Sequence, residues 1–366
     1  MQKTSSKKTV IVGMSGGVDS SVAAALLAEQ GFNVIGLFMH NWEEQEQSGN
    51  CTAETDFADA KNVCSTLKIP CYSVNFSKEY WDKVFSHFLA EYKAGRTPNP
   101  DVLCNREIKF GDFANFAKKF DADYIATGHY CDILNTGGTV HLLKAADQNK
   151  DQTYFLNQVR AEQLKNVLFP LGKLKKDSVR EIATKYGFIT AKKKDSTGIC
   201  FVGERNFRQF LSQYLPAKAG DIVDKQGNIL GRHMGLMYYT LGQRRGLGIG
   251  GVKGAEAGRW YVFKKDLDNN RLVLSSGDEE ELYSGGLIAS GFNWIDFDLK
   301  IGDKLKCNAK FRYRQAEQGV TIEKLNEKGV KVLFDKRQKA ITPGQYVVLY
   351  LENRCLGGGV IDKVID

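Results

Sequence analysis

A glycine- and serine-rich stretch between a short apolar run and a helical run constrains the fold of this chain most strongly. Val10-Ile11-Val12 is typical of a buried strand, and residues 20–29 are typical of a helix that ends at Gly31. Residues 13–21, which join them, read Gly-Met-Ser-Gly-Gly-Val-Asp-Ser-Ser. A glycine-rich turn from strand to helix presents backbone amides to an anion. We therefore predict an α/β domain with a phosphate-binding loop at this junction.

Strand and helix signals alternate along the first third of the chain. The further predicted elements are strands at 34–39, 71–74 and 124–127 and helices at 57–67 and 107–119. Strands that are apolar on both faces are typical of a doubly wound parallel sheet covered by helices, which binds nucleotide at the carboxyl ends of its strands. That edge places Met39 and Gly128 near the nucleotide, although a core methionine and a turn glycine explain them as simply.

From about Asp221 the alternation gives way to short β-type runs separated by glycine, aspartate and asparagine. Such runs predict a small β-rich central domain and a C-terminal β-barrel. They lie at residues 237–240, 260–264, 271–274, 304–313, 329–334 and 346–351, with turns at 266–270 and 327–329. We predict three domains, at residues 1–210, 211–284 and 285–366.

Charge and hydropathy restrict the partners only loosely. The chain has 51 Lys and Arg against 43 Asp and Glu, a formal net charge of +8. This surplus suits a polyanion such as nucleic acid, yet it is also common in enzymes that bind no polymer. No apolar run approaches the ~18–20 residues of a membrane span, and residues 1–8 lack a signal-peptide core. We expect a cytoplasmic protein with no membrane partner.

The loop residues indicate which kind of phosphate site to expect. Gly16 and Gly17 permit a close approach of the backbone to phosphate, and Ser15 and Ser20 add hydroxyl donors. Asp19 stands where a Walker A loop has lysine, and the Gly-x-Gly-x-x-Gly spacing is absent. An acidic residue in a phosphate site fits a bound Mg²⁺ that bridges phosphate oxygens. The alternative is a serine-capped glycine turn.

Residues 15–20 resemble the Ser-Gly-Gly-x-Asp-Ser motif of the PP-loop ATP pyrophosphatases, whose fold is adenine nucleotide alpha-hydrolase-like. The resemblance implies ATP and Mg²⁺ as cofactors, cleavage between the α and β phosphates, and transfer of AMP to a substrate oxygen. It implies no dedicated metal site, since Mg²⁺ arrives with ATP and Asp19 is its one candidate ligand. The expected nucleotide-binding residues are Gly13, Met14, Ser15, Gly16, Gly17, Val18, Asp19, Ser20, Met39 and Gly128.

Two of the eight cysteines have surroundings that favour a reactive thiolate. Cys104 follows two prolines and precedes a predicted helix, with Arg106 close by, and Cys200 lies in a polar loop downstream of three lysines at 192–194. A helix N-terminus and positive charge lower the pKa of a thiol. The spacing does not show whether the two cysteines meet. We expect structural roles for Cys51, Cys64, Cys71, Cys131, Cys307 and Cys355.

Four further motifs follow the loop. They are Pro-Asn-Pro-Asp-Val-Leu-Cys-Asn at 98–105, Ala-Thr-Gly-His-Tyr at 126–130, Lys-Asp-Gln at 150–152 and Gly-Ile-Cys-Phe at 198–201. In this order they resemble the tRNA-specific 2-thiouridylases over nearly the whole chain. The resemblance implies that sulfur replaces the C2 oxygen of wobble uridine 34 in tRNAs of the Lys, Glu and Gln type. It implies Cys200 as persulfide carrier, Cys104 as partner nucleophile, and a cysteine desulfurase or sulfur-relay protein as sulfur donor.

The same resemblance implies residues that contact tRNA. Asp101 is a candidate acid or base, and a helix N-cap is its alternative role. Arg312 and Tyr313 suit contact with phosphate and base, or a plain solvent face of a strand. Because an anticodon base must leave its stack to react, a deep pocket between domains is expected. The implied tRNA-binding residues are Asn99, Pro100, Asp101, His129, Lys150, Asp151, Gln152, Arg312, Tyr313 and Gln345.

Two other functions compete with this one. A PP-loop ligase or amidotransferase subunit that adenylates a carboxylate or xanthine-type oxygen would share the loop and need neither Cys104 nor Cys200. A tRNA-binding module with a decayed nucleotide loop is the second, and the intact residues 15–20 argue against it. Under the thiolation hypothesis, sulfur reaches C2 by one of two routes. It comes directly from the Cys200 persulfide, or as hydrosulfide that is released when Cys104 attacks this persulfide. Both routes leave a Cys104–Cys200 disulfide to be reduced.

Overall fold

The computed structural model describes residues 7–42, 52–195, 207–249, 260–277 and 279–366. The strands of the first half are β1 (Thr9–Met14), β2 (Asn33–His40), β3 (Cys71–Asn75), β4 (Tyr124–Ala126), β5 (Asp132–Thr136), β6 (Thr139–Leu143) and β7 (Val167–Leu168). The later strands are β8 (Gly220–Val223), β9 (Ile229–His233), β10 (Tyr261–Asp266), β11 (Arg271–Ser275), β12 (Tyr283–Trp294), β13 (Lys304–Lys310), β14 (Gln318–Lys324), β15 (Val330–Lys339), β16 (Tyr346–Leu351) and β17 (Arg354–Ile365).

The α-helices lie mostly in the first half of the chain. They are α1 (Val18–Glu29), α2 (Thr52–Leu67), α3 (Ser77–Tyr80), α4 (Ser86–Lys93), α5 (Pro100–Leu103), α6 (Phe113–Ala117), α7 (Thr153–Leu156), α8 (Ala161–Leu164), α9 (Lys176–Lys185) and α10 (Phe207–Ser212). Short 3₁₀ turns lie at Lys118–Phe120, Ile189–Lys192, Leu236–Tyr238 and Glu279–Leu282. None of the helices in the described ranges is long and apolar enough to cross a lipid bilayer.

Five strands form one parallel sheet in the order β3-β2-β1-β4-β7. Alternate side chains of a strand face opposite sides of a sheet. Val10 and Val12 of β1 therefore join the core that includes α1 and α2, whereas Ile11 joins the core that includes Phe113 of α6. Because both faces of β1 are covered, this central strand is almost entirely apolar, whereas the edge strand β3 carries exposed Ser73 and Asn75. The predicted doubly wound parallel sheet is confirmed.

Two long helical runs contain π-helical turns. Trp81–Phe85 joins α3 to α4, and Cys104–Asp112 joins α5 to α6. The second run begins at Pro100, so the expectation that a helix begins just after Cys104 is wrong. Asn99 is still extended (φ −120°, ψ 96°), and the proline ring that follows it holds the φ angle that a first helical residue needs. Cys104 consequently lies in the second turn.

The later strands form two further sheets. β10, β11, β8 and β9 make a four-stranded central sheet in that order. The order β12-β15-β14-β13-β16-β17, with β12 also paired to β17, closes a six-stranded barrel around its own apolar core. The predicted β-rich central domain and C-terminal barrel are confirmed. The hairpin β5–β6 leaves the first half of the chain and extends the barrel sheet through the pairing of β6 with β17.

Some sequence predictions of strands are wrong in detail. Residues 237–240 begin with the 3₁₀ turn Leu236–Tyr238, and the strand expected at 304–313 ends at Lys310. There the side-chain oxygen of Gln315 accepts the Phe311 amide, 3.1 Å away, so the backbone leaves the ladder. The sequence signals also miss β5, β6, β7, β8, β9, β12, β14 and β17. β17 contains three successive glycines at 357–359, and a Cβ on Gly358 would lie 2.5 Å from the Val347 oxygen, so close strand packing requires glycine there.

Buried polar contacts join the barrel to the first half of the chain. The Tyr154 hydroxyl of α7 donates to the backbone oxygen of Tyr346, at 3.1 Å. The Gln158 amide donates to the oxygen of Gly358, at 2.6 Å, and the Asn293 amide donates to the oxygen of Asn157, at 2.9 Å. All of these donors are buried or half-buried, which holds the two parts in a defined register.

Candidate active site

The glycine-rich loop follows β1 and opens α1, as its sequence predicts. Gly17 is the N-cap (φ −102°, ψ 164°), and no side chain of the described residues caps it. The Ser20 hydroxyl accepts the Ser15 amide and donates to the Gly17 oxygen, both at 3.1 Å. The side chains of Met14 and Val18 are buried in the core, so these two residues offer only backbone to a ligand. The first amides of α1 are therefore available to an anion.

Gly16 is the position where the loop most needs glycine. Its φ is +69°, and a Cβ there would lie 2.3 Å from the backbone oxygen of Asp56 on α2. Lys193 fastens this contact, because its ammonium group donates to the Gly16 oxygen at 3.0 Å and to the carboxylates of Asp56 and Asp59 at 2.7 and 2.5 Å. The loop is thus held by α2 on one side and by a lysine from the 192–194 cluster on the other.

We expect Gly16→Ala to weaken ATP binding by about 100-fold, because about 3 kcal/mol of strain and repulsion falls on the loop. Gly31→Ala is the matched control. Gly31 has a similar φ of +86° with no heavy atom near its Cβ position, so it should cost only about 1 kcal/mol of stability. Equilibrium ATP titration and thermal unfolding of both variants measure the difference, and equal ATP affinities would contradict this role of Gly16.

The two other residues expected near the nucleotide lie against the loop. A Cβ on Gly13 would be 3.6 Å from the Met39 Cε and 3.5 Å from the ring of Phe113. A Cβ on Gly128 would lie 2.8 Å from the Ser20 amide nitrogen. Any side chain at Gly128 would therefore cover the start of α1. Met39 and Gly128 are both placed at the carboxyl edge of the sheet, as expected.

Asp19 is bound by a lysine that sequence analysis did not single out. The Lys176 ammonium group lies 2.7 and 2.8 Å from the two Asp19 carboxylate oxygens, and the Tyr130 hydroxyl donates to the first of them at 2.8 Å. Lys176 is the first residue of α9 and its side chain is 10% exposed. In the sequence it is one member of a Lys-Lys pair at a helix start, which carries no signal of a buried ion pair.

A second carboxylate, that of Asp195, contacts three basic side chains, one of which is the Lys176 that binds Asp19. Asp195 accepts hydrogen bonds from Lys150 at 2.6 Å and Arg180 at 2.8 Å, and Lys176 lies 2.9 Å away. Burial alone would raise the pKa of Asp195, but the bonds from Lys150 and Lys176 lower it to about 2. The carboxylate is therefore ionised at neutral pH. Lys150, one of the implied tRNA contacts, is placed beside the loop by this bond.

Cys104 is 1% exposed and lies in the π-helical turn that follows α5. Such turns are frequent at functional sites. Arg106, expected to activate the thiol, is committed elsewhere, since it donates to Glu107 at 2.6 Å and to Gln158 at 3.0 Å. The Asn105 amide donates to the Phe155 oxygen at 3.1 Å. The same helical run carries Phe113 to the Gly13 end of the loop, about 13 Å along the axis.

Asp101 and His129 are both close to the charge of Lys109. Burial raises the pKa of Asp101, and the Lys109 charge opposes this rise. Burial, aided by Lys109, lowers the pKa of His129 well below its usual value. His129 is 8% exposed and its Nδ1 is 2.7 Å from the Thr127 hydroxyl. The neutral imidazole is therefore enclosed by protein in this structure.

The remaining implied tRNA contacts fall into two groups. Gln345 donates to the oxygens of Thr97 and Pro98, at 2.8 and 3.4 Å, and so holds the chain just before Asn99 and Pro100. The centre of the Tyr313 ring lies 4.4 Å from that of Phe155, the residue whose backbone oxygen accepts the Asn105 amide. These residues gather near Cys104. The second group, Asp151, Gln152 and Arg312, contacts other parts of the protein.

Asp151, Gln152 and Arg312 make internal contacts. Asp151 is 3% exposed and accepts from the Thr153 hydroxyl at 2.7 Å. The Gln152 side-chain oxygen accepts the Tyr130 amide at 2.8 Å. Arg312 is exposed, lies in the turn after β13, and donates to the Ala340 oxygen at 2.6 Å. Any tRNA contact by Asp151 would require this part of the protein to rearrange.

Cys200 and its motif at 198–201 lie outside the described residues, as does Cys51. The chain that leads to Cys200 is nevertheless anchored at the loop, through Lys193 and Asp195. Among the described residues no group of three or more histidine, cysteine or carboxylate side chains is arranged to hold a metal ion. A cavity of ≈ 10 Å³ beside Asn99, Pro100 and Tyr346 has room for about one water, so it is not the expected deep pocket.

Family models match the chain over three consecutive segments. Residues 8–204 match a model described as tRNA methyl transferase HUP domain, and residues 208–276 match the tRNA methyl transferase PRC-barrel domain. Residues 284–361 match an aminomethyltransferase beta-barrel domain. The first segment contains the phosphate loop and Cys104, and the third contains the barrel.

Curated relatives match the chain from end to end. The tRNA-specific 2-thiouridylase MnmA of Alkaliphilus oremlandii is 54% identical over 366 residues, which cover 100% of both chains. The enzyme of the same name from Bacillus subtilis is 53% identical and is covered to 97%. A solved structure of a 4-thiouridine synthetase–RNA complex with bound ATP is 15% identical, with a TM-score of 0.34 over 57% of this chain and 50% of that one. On the full-length identity to the curated relatives, this chain belongs to the family of tRNA-specific 2-thiouridylases.

Proposed function

We propose that this chain is a tRNA-uridine 2-sulfurtransferase that activates the C2 oxygen of wobble uridine 34 with ATP and replaces it with sulfur. In this proposal residues 1–210 bind ATP and carry both reactive cysteines, 211–284 form the central domain and 285–366 contact tRNA. The tRNA substrates are of the Lys, Glu and Gln type. A cysteine desulfurase or sulfur-relay protein supplies the sulfur in the cytoplasm.

The observation that carries the proposal is the opening of α1. Its first amides have no side-chain cap among the described residues, and glycine at position 128 keeps a side chain away from the Ser20 amide. These residues fit a triphosphate, since amides and a helix N-terminus favour bound anions. The ammonium groups of Lys176 and Lys193 lie beside the first turn of α1 and the Gly16 oxygen, where carboxylates hold them in position.

Activation comes first in the proposed reaction. The uridine O2 attacks the α-phosphorus, the bond to the β-phosphate breaks, and pyrophosphate leaves. A carbonyl-type oxygen is a poor leaving group, whereas AMP is a good one, so this step is chemically needed. Both oxygens of Asp19 are engaged by Lys176, which makes Asp19 a poor direct ligand for Mg²⁺ in this arrangement. We propose that Mg²⁺ arrives on the ATP phosphates and that Asp19 orients Lys176.

Sulfur transfer follows. The terminal sulfur of a Cys200 persulfide bonds to C2, and AMP departs with the original oxygen. The Cys104 thiolate attacks the inner sulfur, which breaks the persulfide bond and leaves a Cys104–Cys200 disulfide for a dithiol to reduce. In the hydrosulfide route Cys104 attacks first and free hydrosulfide then adds to C2. We propose Asp101, three residues before Cys104 in the same helical run, as the group that exchanges a proton, because burial raises its pKa.

The test is reconstitution with purified protein. With ATP, Mg²⁺, unmodified tRNA and a persulfide donor, we expect one 2-thiouridine and one AMP per turnover, detected by mass spectrometry of digested tRNA and by nucleotide chromatography. Omission of ATP should remove both products. AMP without a thiolated base, or adenylation of a carboxylate instead of tRNA, would favour the rival PP-loop ligase and refute the proposal.

We expect tRNA affinity to fall about tenfold or more between 50 and 200 mM salt, because lysines and arginines displace cations from phosphates. Arg312→Gln should reduce the slope of log affinity against log salt by about one. Lys8→Gln is the control, since Lys8 precedes β1 at the opposite edge of the sheet from the loop. Filter binding measures both slopes, and salt-independent affinity would contradict a tRNA partner.

A further inference from the structure

Cys64 and Cys71 form a thiol pair away from the candidate active site. Cys64 lies in the last turn of α2, and Cys71 is the first residue of β3, the edge strand of the parallel sheet. The phosphate loop lies at the carboxyl edge of this sheet, whereas Cys71 lies at the amino end of its strand. The proposed reaction uses neither thiol.

The neighbouring strand explains how the two sulfurs meet. Gly36 of β2 is paired with Cys71, and paired residues of adjacent parallel strands direct their side chains to the same face, about 4.8 Å apart. A Cβ on Gly36 would lie 2.6 Å from the Sγ of Cys64. The sulfur of Cys64 therefore occupies the space that a side chain at Gly36 would fill, directly beside Cys71.

The short connection between α2 and β3 holds this arrangement. The Ile69 amide donates to the Cys64 oxygen at 3.0 Å, and Lys68 adopts a left-handed conformation with φ of 56°. The Gly36 amide then donates to the Pro70 oxygen at 2.9 Å, which fixes the start of β3 against β2. The thiols are thus held close by the backbone and by the sheet pairing.

The two thiols differ in access and ionisation. Cys64 is 1% exposed, whereas Cys71 is half-buried on the edge strand. The hydrogen bond from Cys64 lowers the pKa of Cys71, and the positive charge of Lys61 lowers it further against the opposing effect of burial. Cys71 is therefore the thiol that reacts first with an oxidant, and Cys64 is the thiol that then closes the disulfide.

We propose that Cys64 and Cys71 are a peroxide-responsive modification site that closes to a reversible disulfide. The Cys71 thiolate attacks one oxygen of hydrogen peroxide, the O–O bond breaks, and hydroxide leaves with Cys71 as a sulfenic acid. The Cys64 thiol attacks that sulfur, the S–O bond breaks, and water leaves. One peroxide is reduced and the two thiols are oxidised, and a dithiol reductant reverses the change.

The test uses the full chain with Cys104→Ser and Cys200→Ser, so that the proposed catalytic thiols cannot contribute. After a peroxide pulse and N-ethylmaleimide, trypsin cleaves at Lys61, Lys68 and Lys78 and places the two cysteines on different peptides, 62–68 and 69–78. We expect non-reducing mass spectrometry to find these peptides joined as the main product, and dithiothreitol to separate them. Peptides that stay unlinked, with both thiols alkylated or with Cys71 overoxidised, would overturn the proposal.

Two variants in the same background separate the roles of the thiols. With Cys64→Ser we expect the sulfenic acid of Cys71 to persist and to be labelled by dimedone, at least tenfold more than in the parent. With Cys71→Ser we expect neither label nor linked peptide. Cys307→Ser, on the barrel strand β13, is the matched control and should leave the linked peptide unchanged. Dimedone labelling of Cys64 in place of Cys71 would refute the assigned order.

Discussion

Replacement of Cys104 by serine is expected to abolish thiolation, with at least about a 10³-fold loss of 2-thiouridine formation, because a serine hydroxyl is not ionised at neutral pH and cannot break a persulfide. ATP binding and pyrophosphate release should survive, since activation precedes sulfur transfer and Cys104 lies along the helix from the loop and not in it. Cys200→Ser should show the same loss with a persulfide donor. Mass spectrometry of tRNA after a single turnover measures both.

The control for Cys104→Ser must also remove a buried thiol. Cys131 is 0% exposed and lies between β4 and β5, so Cys131→Ser carries a similar burial cost without the proposed chemistry. We expect it to lower the unfolding temperature and to keep thiolation. Added sulfide should restore product to Cys104→Ser only if hydrosulfide is the intermediate. Full activity of Cys104→Ser with a persulfide donor would contradict its assigned role.

Replacement of Lys176 by methionine is expected to reduce AMP formation by at least about 100-fold. The ammonium group lies within 2.9 Å of both Asp19 and Asp195, and its removal leaves Asp19 without a cation at the phosphate site, whereas Asp195 keeps Lys150 and Arg180. Like charges there repel a triphosphate, and the broken pair should cost about 2–3 kcal/mol of stability, below the usual range for a buried pair because Asp19 is partly exposed. Initial rates and chemical denaturation measure the two losses.

Two further variants separate the charge of Lys176 from folding. Lys173→Met changes a lysine of the same segment whose side chain is 86% exposed, and it should affect neither rate nor stability. Adding Asp19→Asn to Lys176→Met removes the unpaired charge and should restore stability while the rate stays low. A double variant with a wild-type rate would show that the ammonium group has no part in phosphate binding.

Local sequence patterns predict a helix or strand well where the residues of that one segment are enough to define it. The apolar runs of β1 and β2 and the glycine-rich turn to α1 depend on neighbours a few residues apart, and the structure has all of them. The sequence-based prediction places the start of the helix after Cys104, whereas the helix begins at Pro100. The prediction misses this start because it treats Pro100 as part of the approach to the helix and not as its first residue. β17 is missed because its glycines have low strand propensity, and only its packing between β12 and β16 requires them.

By itself, the sequence determined the fold class and predicted the phosphate loop and the two cysteines of interest, because each depends on residue types at short spacing. Only the tertiary structure decided which charges act on the loop, since Asp19 is 157 residues from Lys176. It also placed Gln345 of the barrel on the backbone before Asn99, and the sulfur of Cys64 beside Cys71. Such contacts arise where distant segments pack, and a single sequence has no local pattern that encodes them.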